Sequence, residues 1–509
     1  MSRDFLPQWL STMWRSHARN LLGHEILDVA IVGGGINGAC LFDRLRRSGY
    51  RVGIFDAGDF GGGTSSASGM MIWGGLLYLR QLDVRTVFQL CRSREHMLSR
   101  LPALVAPTTY RYCAPRDRRL QTATVLAGLY LYWALGAFRR ARPAVLRDVP
   151  ERAWIRDPGL VLGYEEGALS VSDARFVLEW LRPHRLPDAV ALNYCEIGAC
   201  RFDPTERVWH LDATDRMHGH EISIRARAVV NCAGVWTDRV NRMNGIETPF
   251  RHAFSKGVWV GFERTKGHDA PLTFELGEHG DVMSSVPWGP IALWGPTETQ
   301  LDDLGSDAAA DASDLRFLLQ HRSRCLALPS DPQRIVCVRS GVRPLAVGKG
   351  YTAARYTLEL SRRHRTFADP HLPWISTYGG KLTACMDAAA ETSRILATMA
   401  RATGRPGEEV AETSACPLEE FPGLAEPVPA VEWCVEREYC CTLEDYLRRR
   451  TNIAQWIARE GLDYRDRARG AVRAVCKRLA DGDEMRAESM LREYASRVET
   501  GFDRLIASI

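Results

Sequence analysis

The first clear periodicity is an apolar run, Asp28-Val29-Ala30-Ile31-Val32, that stops at Gly33-Gly34-Gly35-Ile36-Asn37-Gly38. Positions 39–48 then take helical spacing, and 50–56 return to an extended apolar run ending in Asp56. This order predicts strand, glycine turn, helix and strand. Short apolar strands recur at 226–231 and 374–378, and each breaks at small residues, Cys232-Ala233-Gly234 and Gly379-Gly380-Lys381-Leu382-Thr383. Both breaks read as strand ends facing a ligand crevice.

Segments 251–262, 279–287 and 291–295 have another texture. They alternate apolar and polar residues or run β-branched between Gly- and Pro-rich turns, which predicts a mostly antiparallel sheet. Past about residue 400 the spacing becomes helical. Leu443, Tyr446, Leu447, Ile453, Trp456 and Ile457 share a face after a Thr442-x-x-Asp445 capping-box start, and Ala471, Val475 and Leu479 repeat the pattern. The opening segment repeats Phe5, Trp9, Met13 and Leu6, Leu10, Trp14 at the same spacing, as expected of a helix docked on the body of the protein. The predicted class is α/β, with a Rossmann-like dinucleotide-binding domain, a second domain built on an antiparallel sheet and a helical C-terminal domain; the resemblance set out below makes the second a substrate domain and the third a cap. Residues 1–27 form an N-terminal helical segment. Residues 28–400 interleave the two sheet domains, with the substrate part near 80–150 and 245–350. Residues 401–509 form the helical domain, reached through the Pro-rich stretch 417–429.

With 509 residues, 45% of them hydrophobic and 25% charged, disorder and coiled-coil readings are excluded for the chain as a whole. A net charge of +4 is too dilute to argue for a nucleic-acid partner. The 14 cysteines show no C-x-x-C pair, so neither a zinc site nor a disulfide framework is suggested and no metal is expected. Residues 1–27 lack the apolar core and cleavage site of a secretory signal, and a cytoplasmic location is expected. The apolar stretch 122–138 has 17 residues, just short of the roughly 18 to 20 that cross a bilayer. A buried helix is the favoured reading. Its flanking arginines and three aromatics also fit peripheral contact with the inner membrane face. Only five of the cations are lysines, which singles out Lys381 in its Gly-Gly setting.

The glycine turn carries the first candidate chemistry. Gly33 permits the tight turn, Gly35 lets the backbone approach a pyrophosphate and Gly38 allows close helix packing, while the helix N-terminus favours phosphate charge. Asp56 lies 18 residues after Gly38, where an acid accepts hydrogen bonds from a ribose. The small-residue loop 61–69, with Thr64, Ser65 and Ser66, follows closely and reads as a phosphate-lining loop.

These elements belong to a longer series. Ile72, Gly74-Gly75-Leu76 and Tyr78-Leu79 follow the loop; Asp173-Ala174-Arg175, Ala191-Leu192-Asn193-Tyr194, Asn231 to Trp236, Ser255-Lys256-Gly257, Val286-Pro287-Trp288, Ser340-Gly341-Val342-Arg343-Pro344-Leu345 and the Gly379 to Thr383 turn come in order. The series, covering roughly 25–460, resembles the FAD-dependent glycerol-3-phosphate dehydrogenase family of the D-amino-acid-oxidase superfamily. The resemblance implies FAD as cofactor, a substrate sheet covering the flavin ring and a C-terminal helical cap. It assigns Gly33, Gly35, Gly38, Asp56, Thr64, Ser65, Ser66, Ala233, Gly234, Gly379, Gly380, Leu382 and Thr383 to the cofactor, and Arg343 and Lys381 to catalysis.

The departures are as informative. Where the family has Lys, His and Arg after the first loop, this chain has Met70, Trp73 and Leu77, and the family's His after Lys-Gly is Trp259. Near Tyr356 the family's Arg-Asp pair is replaced by Ala353-Ala354-Arg355, so a second phosphate-binding Arg is absent or displaced. Trp73, Leu77 and Trp259 are therefore expected to wall a smaller, less polar pocket whose remaining cations are Arg343 and Lys381. A phosphate dianion needs several charge-assisted donors, whereas one bidentate Arg holds a carboxylate. The expected reaction is hydride transfer to the flavin from a small acidic alcohol, glycerol 3-phosphate or a diverged analogue. The alternatives are oxidation of an amine or amino acid and a flavoprotein without catalysis. His252 is the remaining candidate base, set against a surface placement. The electron acceptor, whether quinone, oxygen or protein, and the oligomeric state are left open.

Overall fold

The apolar run at 27–32 is buried at every position, and this sets the centre of the first sheet. In the computed structural model, which describes residues 14–114, 119–157, 159–181, 189–276, 281–305, 308–351, 360–406, 416–463 and 468–509, Leu27–Val32 pairs in parallel with Val52–Phe55 on one side and His220–Asn231 on the other. Ala189–Leu192 and Trp374–Tyr378 extend the parallel core outward. Such strands must be covered on both faces, which explains their unbroken apolar runs. The helices Ile36–Arg47 and Cys385–Leu396 pack together over one face. On the other, an antiparallel meander, Cys195–Asp203 and Val208–Asp215, leads into His220–Asn231, and the N-terminal helix Trp14–His24 buries Ala18 and Leu22.

The second sheet has ten strands among the described residues, and all its pairs are antiparallel except Leu272–Leu276 with Val105–Ala114. Its spine is the long pair Phe250–Glu263 and Cys337–Gly348, in register from Phe250 opposite Gly348 to Gly261 opposite Cys337. Met71–Ile72 and Leu160–Leu169 also join this sheet, outside the ranges 80–150 and 245–350. Period-2 alternation puts Ser255, Gly257 and Trp259 on one face together with their partners Arg343, Gly341 and Arg339. That face meets the loop following the glycine turn. A Cβ on Gly341 would come within 2.5 Å of Ala67 Cβ, and one on Gly69 within 2.5 Å of the Trp259 ring. The absent side chains let sheet and loop close on each other.

From Val431 onward the chain is helical, and its apolar face continues the core of the second sheet. The capping box forms, with Asp445 accepting from Thr442 N at 2.9 Å and Thr442 Oγ1 accepting from Asp445 N at 3.1 Å. One continuous helix does not follow. Asp445–Arg450 is wound as a π-turn, Asn452 takes a left-handed conformation (φ 62°), and a short helix restarts at Ile453–Trp456. The break lets Arg449 and Arg450 turn toward the first sheet, where Asp59 is buried. Arg450 Nη1 and Nη2 reach its two oxygens at 2.5 and 2.9 Å, and Arg449 Nε joins them at 2.5 Å. Burial alone would raise the Asp59 carboxyl, but these two guanidiniums hold it far below the usual carboxylate range.

The apolar stretch forms most of a helix, Arg119–Leu135, but only part of it is buried. Leu129 and Tyr132 are covered, whereas Leu131 and Phe138 are exposed. No helix among the described residues is long and apolar enough to cross a membrane. All 14 cysteines are free thiols. Positions 1–13 and 352–359, which include the opening helical pattern and Ala353-Ala354-Arg355, lie outside the described residues.

Candidate active site

A cleft of about 1340 Å³ runs along the carboxyl ends of the parallel strands, between them and the second sheet. That volume exceeds the about 300 to 1,000 Å³ typical of a small-molecule pocket and leaves room for a dinucleotide together with a substrate. Gly33, Gly35, Asp56, Thr64, Ser65, Ala233, Gly234, Gly379, Gly380, Leu382 and Thr383 all line it, as do Arg343, Lys381, Trp73, Leu77 and Trp259. Gly38 and Ser66 stand behind it. A Cβ on Gly38 would sit 2.0 Å from Gly33 O, and Ser66 Oγ donates to Gly63 O at 3.1 Å.

The glycine turn is built as a cradle. Gly33 has φ +103°, and a Cβ there would lie 2.5 Å from Cys232 O, so only glycine brings the ends of the two strands this close. Asp56 organises the turn as well as facing the cleft. Its Oδ2 accepts from Gly34 N at 2.7 Å and its Oδ1 from Gly58 N at 2.8 Å. Burial pushes this carboxyl up to about 6 against the pull of those two N–H groups. Ser65 Oγ accepts from Ile36 N at 3.0 Å at the helix start, and Thr64 Oγ1 donates to Val342 O at 2.6 Å, tying the loop to the second sheet. Asn37 Nδ2 donates to Gly379 O at 3.2 Å, joining the first turn to the last.

His252 is neither on the surface nor in the cleft. It is buried behind the Gly379 turn, where Nε2 accepts from Gly379 N at 3.2 Å and Nδ1 faces Asp238 Oδ2 at 3.3 Å. Its place on the spine strand Phe250–Glu263 points it at the turn, so it holds the backbone ahead of Lys381. No histidine is among the described residues lining the cleft.

Arg343, Glu298, Arg362 and Lys381 form one charged group in the cleft. Arg343 folds across Gly257, where a Cβ would come within 2.1 Å of Nη2. Its Nη1 pairs with Glu298 Oε2 at 2.9 Å, and burial lowers its affinity for its proton. Arg362 Nη2 reaches both oxygens of Glu298 at 3.1 Å, so a second guanidinium joins Arg343 on this carboxylate. Neither Glu298 nor Arg362 was expected from the motifs. Glu298 follows a strand in Pro296-Thr297-Glu298-Thr299, and Arg362 sits in an Arg-rich stretch, so no spacing marked either. Lys381 Nζ lies 4.4 Å from the Tyr78 ring centroid, and burial, with Arg362 nearby, lowers its pKa to about 7. Trp73 packs edge-on against Tyr110 with centroids 6.2 Å apart, and the next residue, Gly74, donates to buried Glu166 at 3.2 Å. Arg94 and Tyr132 bind the same carboxylate, which anchors the Trp73 turn. Met70 is buried away from the cleft lining.

Residues 28–386 match the family described as FAD dependent oxidoreductase, DAO. The chain belongs to this family. It is 31% identical over 383 residues, 74% of its length, to a glycerol-3-phosphate dehydrogenase of Mycobacterium leprae, and spans 63% of that relative. A crystal structure of glycerol-3-phosphate dehydrogenase from Bacillus halodurans complexed with FAD superposes with a TM-score of 0.71 at 18% identity, covering 97% of this chain and 99% of that one. Glycine oxidase from Geobacillus kaustophilus shares the fold at a TM-score of 0.51 and 19% identity, covering 74% of this chain and 96% of the other. The glycine cradle and the cleft fit the FAD that the family carries.

Proposed function

We propose that this chain oxidises a small acidic alcohol, removing a hydride from carbon and a proton from the hydroxyl. The observation that carries the reading is one continuous cleft in which the glycine cradle leads to Lys381 and the Arg343–Glu298–Arg362 group, walled by Trp73, Leu77 and Trp259. Bound FAD supplies the two-electron acceptor. Gly33, Gly35, Asp56, Thr64 and Ser65 would hold its dinucleotide part, and Ala233, Gly234 and the Gly379 to Thr383 turn the remainder. Arg343 and Arg362 orient the acidic end of the substrate. Lys381 Nζ, with a pKa of about 7, is neutral in a large fraction of molecules near neutrality and accepts the hydroxyl proton. The tryptophans and leucine exclude water from the reacting carbon.

A second reading, oxidation of an amine or amino acid, draws support from the lack of a histidine among the described lining residues, because a neutral amine loses hydride without a strong base. Anaerobic reduction of the bound flavin by a panel of hydroxy acids, glycerol 3-phosphate, amines and amino acids separates the two. Reduction by a hydroxy acid, with glycerol 3-phosphate slow or inert, is the expected result. Rapid reduction by amines alone supports the second reading, and efficient reduction by glycerol 3-phosphate shows that the site still pairs a dianion.

A further inference from the structure

Glu298 is an unusual group to find at the acid-binding end of a cleft. Its carboxylate is largely buried and lines the same cleft as the two arginines that would receive an anionic substrate. It is held from three sides, by Arg343 at 2.9 Å, by Arg362 at 3.1 Å to both oxygens and by the Ser255 hydroxyl at 2.6 Å. Arg343 is further committed to Ser255 Oγ and Lys256 O, each at 3.3 Å. The position follows from the sheet. Ser255 stands opposite Arg343, Gly257 leaves room for the guanidinium, and Glu298 arrives just before the neighbouring strand Thr299–Leu301.

Among the described residues, two guanidiniums and one carboxylate, with Lys381 neutral as the proton acceptor, leave a single net positive charge at this end. An incoming monocarboxylate would neutralise that set. A phosphate dianion would leave a desolvated excess of negative charge, which a buried site tolerates poorly. We propose that Glu298 is a specificity-determining residue, cancelling one arginine charge so that the cleft takes substrates with a single carboxylate in preference to phosphate monoesters. The inference rests on the reading above that the substrate is acidic, and it names the class of acid. It also reassigns part of the selectivity from lost cations to a carboxylate that offsets those present.

The test uses the FAD-loaded full chain with two unreactive probes, acetate and sulfate, each titrated while the flavin absorption spectrum is recorded. The native protein is expected to bind acetate at least about tenfold more tightly than sulfate. Glu298→Gln keeps the side-chain shape and removes the charge, and should shift the acetate-to-sulfate ratio toward sulfate by at least about tenfold. Glu298→Asp keeps the charge and should retain the native preference. A Glu298→Gln ratio within about twofold of the native one overturns the inference while leaving the acidic-substrate reading standing. So does tighter binding of sulfate than acetate by the native protein, which needs no variant to fold. If neither anion perturbs the flavin and no acid in the substrate panel reduces it, the acidic-substrate reading itself fails.

Discussion

Arg343 and Lys381 differ in how the surrounding protein constrains them. Arg343 is fixed by four acceptors around a planar fork, Ser255 Oγ, Lys256 O, Thr297 O and Glu298 Oε2, so Arg343→Lys keeps the charge and loses the geometry. We expect kcat/KM for the true substrate to fall at least about tenfold with FAD retained, measured by steady-state kinetics and flavin content. Lys381 is instead a cation held in a site that disfavours its charge. Its folded pKa of about 7 lies below the ordinary lysine value, so the native state binds fewer protons than the unfolded chain from about pH 7 upward. The cost of burying the ammonium is therefore complete below pH 7 and disappears as pH rises toward the unfolded lysine value. Lys381→Met should raise Tm at pH 6, and this gain should shrink at pH 9. An equal gain at both values would place the native titration elsewhere. The same variant should lose the limb of the activity profile that rises through pH 7.

At the scale of elements, two glycine gaps shape the cleft. Gly257 makes space in the spine of the second sheet for the Arg343 guanidinium, only 2.1 Å from where a Cβ would sit. Gly257→Ala should displace Arg343 and reduce kcat/KM by about tenfold or more, with the strand pairing kept because φ there is ordinary. FAD content measured alongside activity distinguishes this from a collapse of the cofactor site. Gly35 begins the helix Ile36–Arg47, and a Cβ there would lie 3.2 Å from Ser65 Oγ, the group that accepts from Ile36 N. Gly35→Val adds two further methyl groups to that contact and should abolish FAD retention, seen as a colourless protein after purification.

At the scale of the whole molecule, the C-terminal helices are tied to the first sheet by buried charge. Arg449 and Arg450 converge on Asp59, three residues beyond Asp56, while Asp445 is shared with Arg449 and Tyr194. Arg175 with Glu438 makes one more such joint, and Arg339, on a strand of the second sheet, pairs with buried Asp173. Removing one partner leaves the other buried with less compensation. Arg450→Met should destabilise the protein by about 3 kcal/mol in denaturant unfolding, since Arg449 still covers part of the Asp59 charge. Because the loop 56–59 carries the acid that organises the glycine turn, the same variant should also weaken FAD retention, measured by the cofactor released on dilution.

The order of apolar runs and glycine breaks was enough to place the first parallel strands, the dinucleotide turn and the antiparallel texture of the second sheet, because each rests on local spacing and on backbone conformations that few residues adopt. The small-residue breaks at 232–234 and 379–383 were legible for the same reason. The break at Asn452 was not, since its apolar residues keep one helical face while Asp59, nearly 400 residues earlier, draws Arg449 and Arg450 into a π-turn. His252 carried no local mark of its role behind Gly379, because that role exists only once Phe250–Glu263 lies beside the turn. The acid end of the cleft was half visible. Arg343 and Lys381 stood out by motif, whereas Glu298 and Arg362 became part of it only through tertiary pairing. Local pattern records what a segment does with its own backbone and neighbours, but the net charge of a buried site is summed over side chains brought together from distant parts of the chain, and only the folded structure performs that sum.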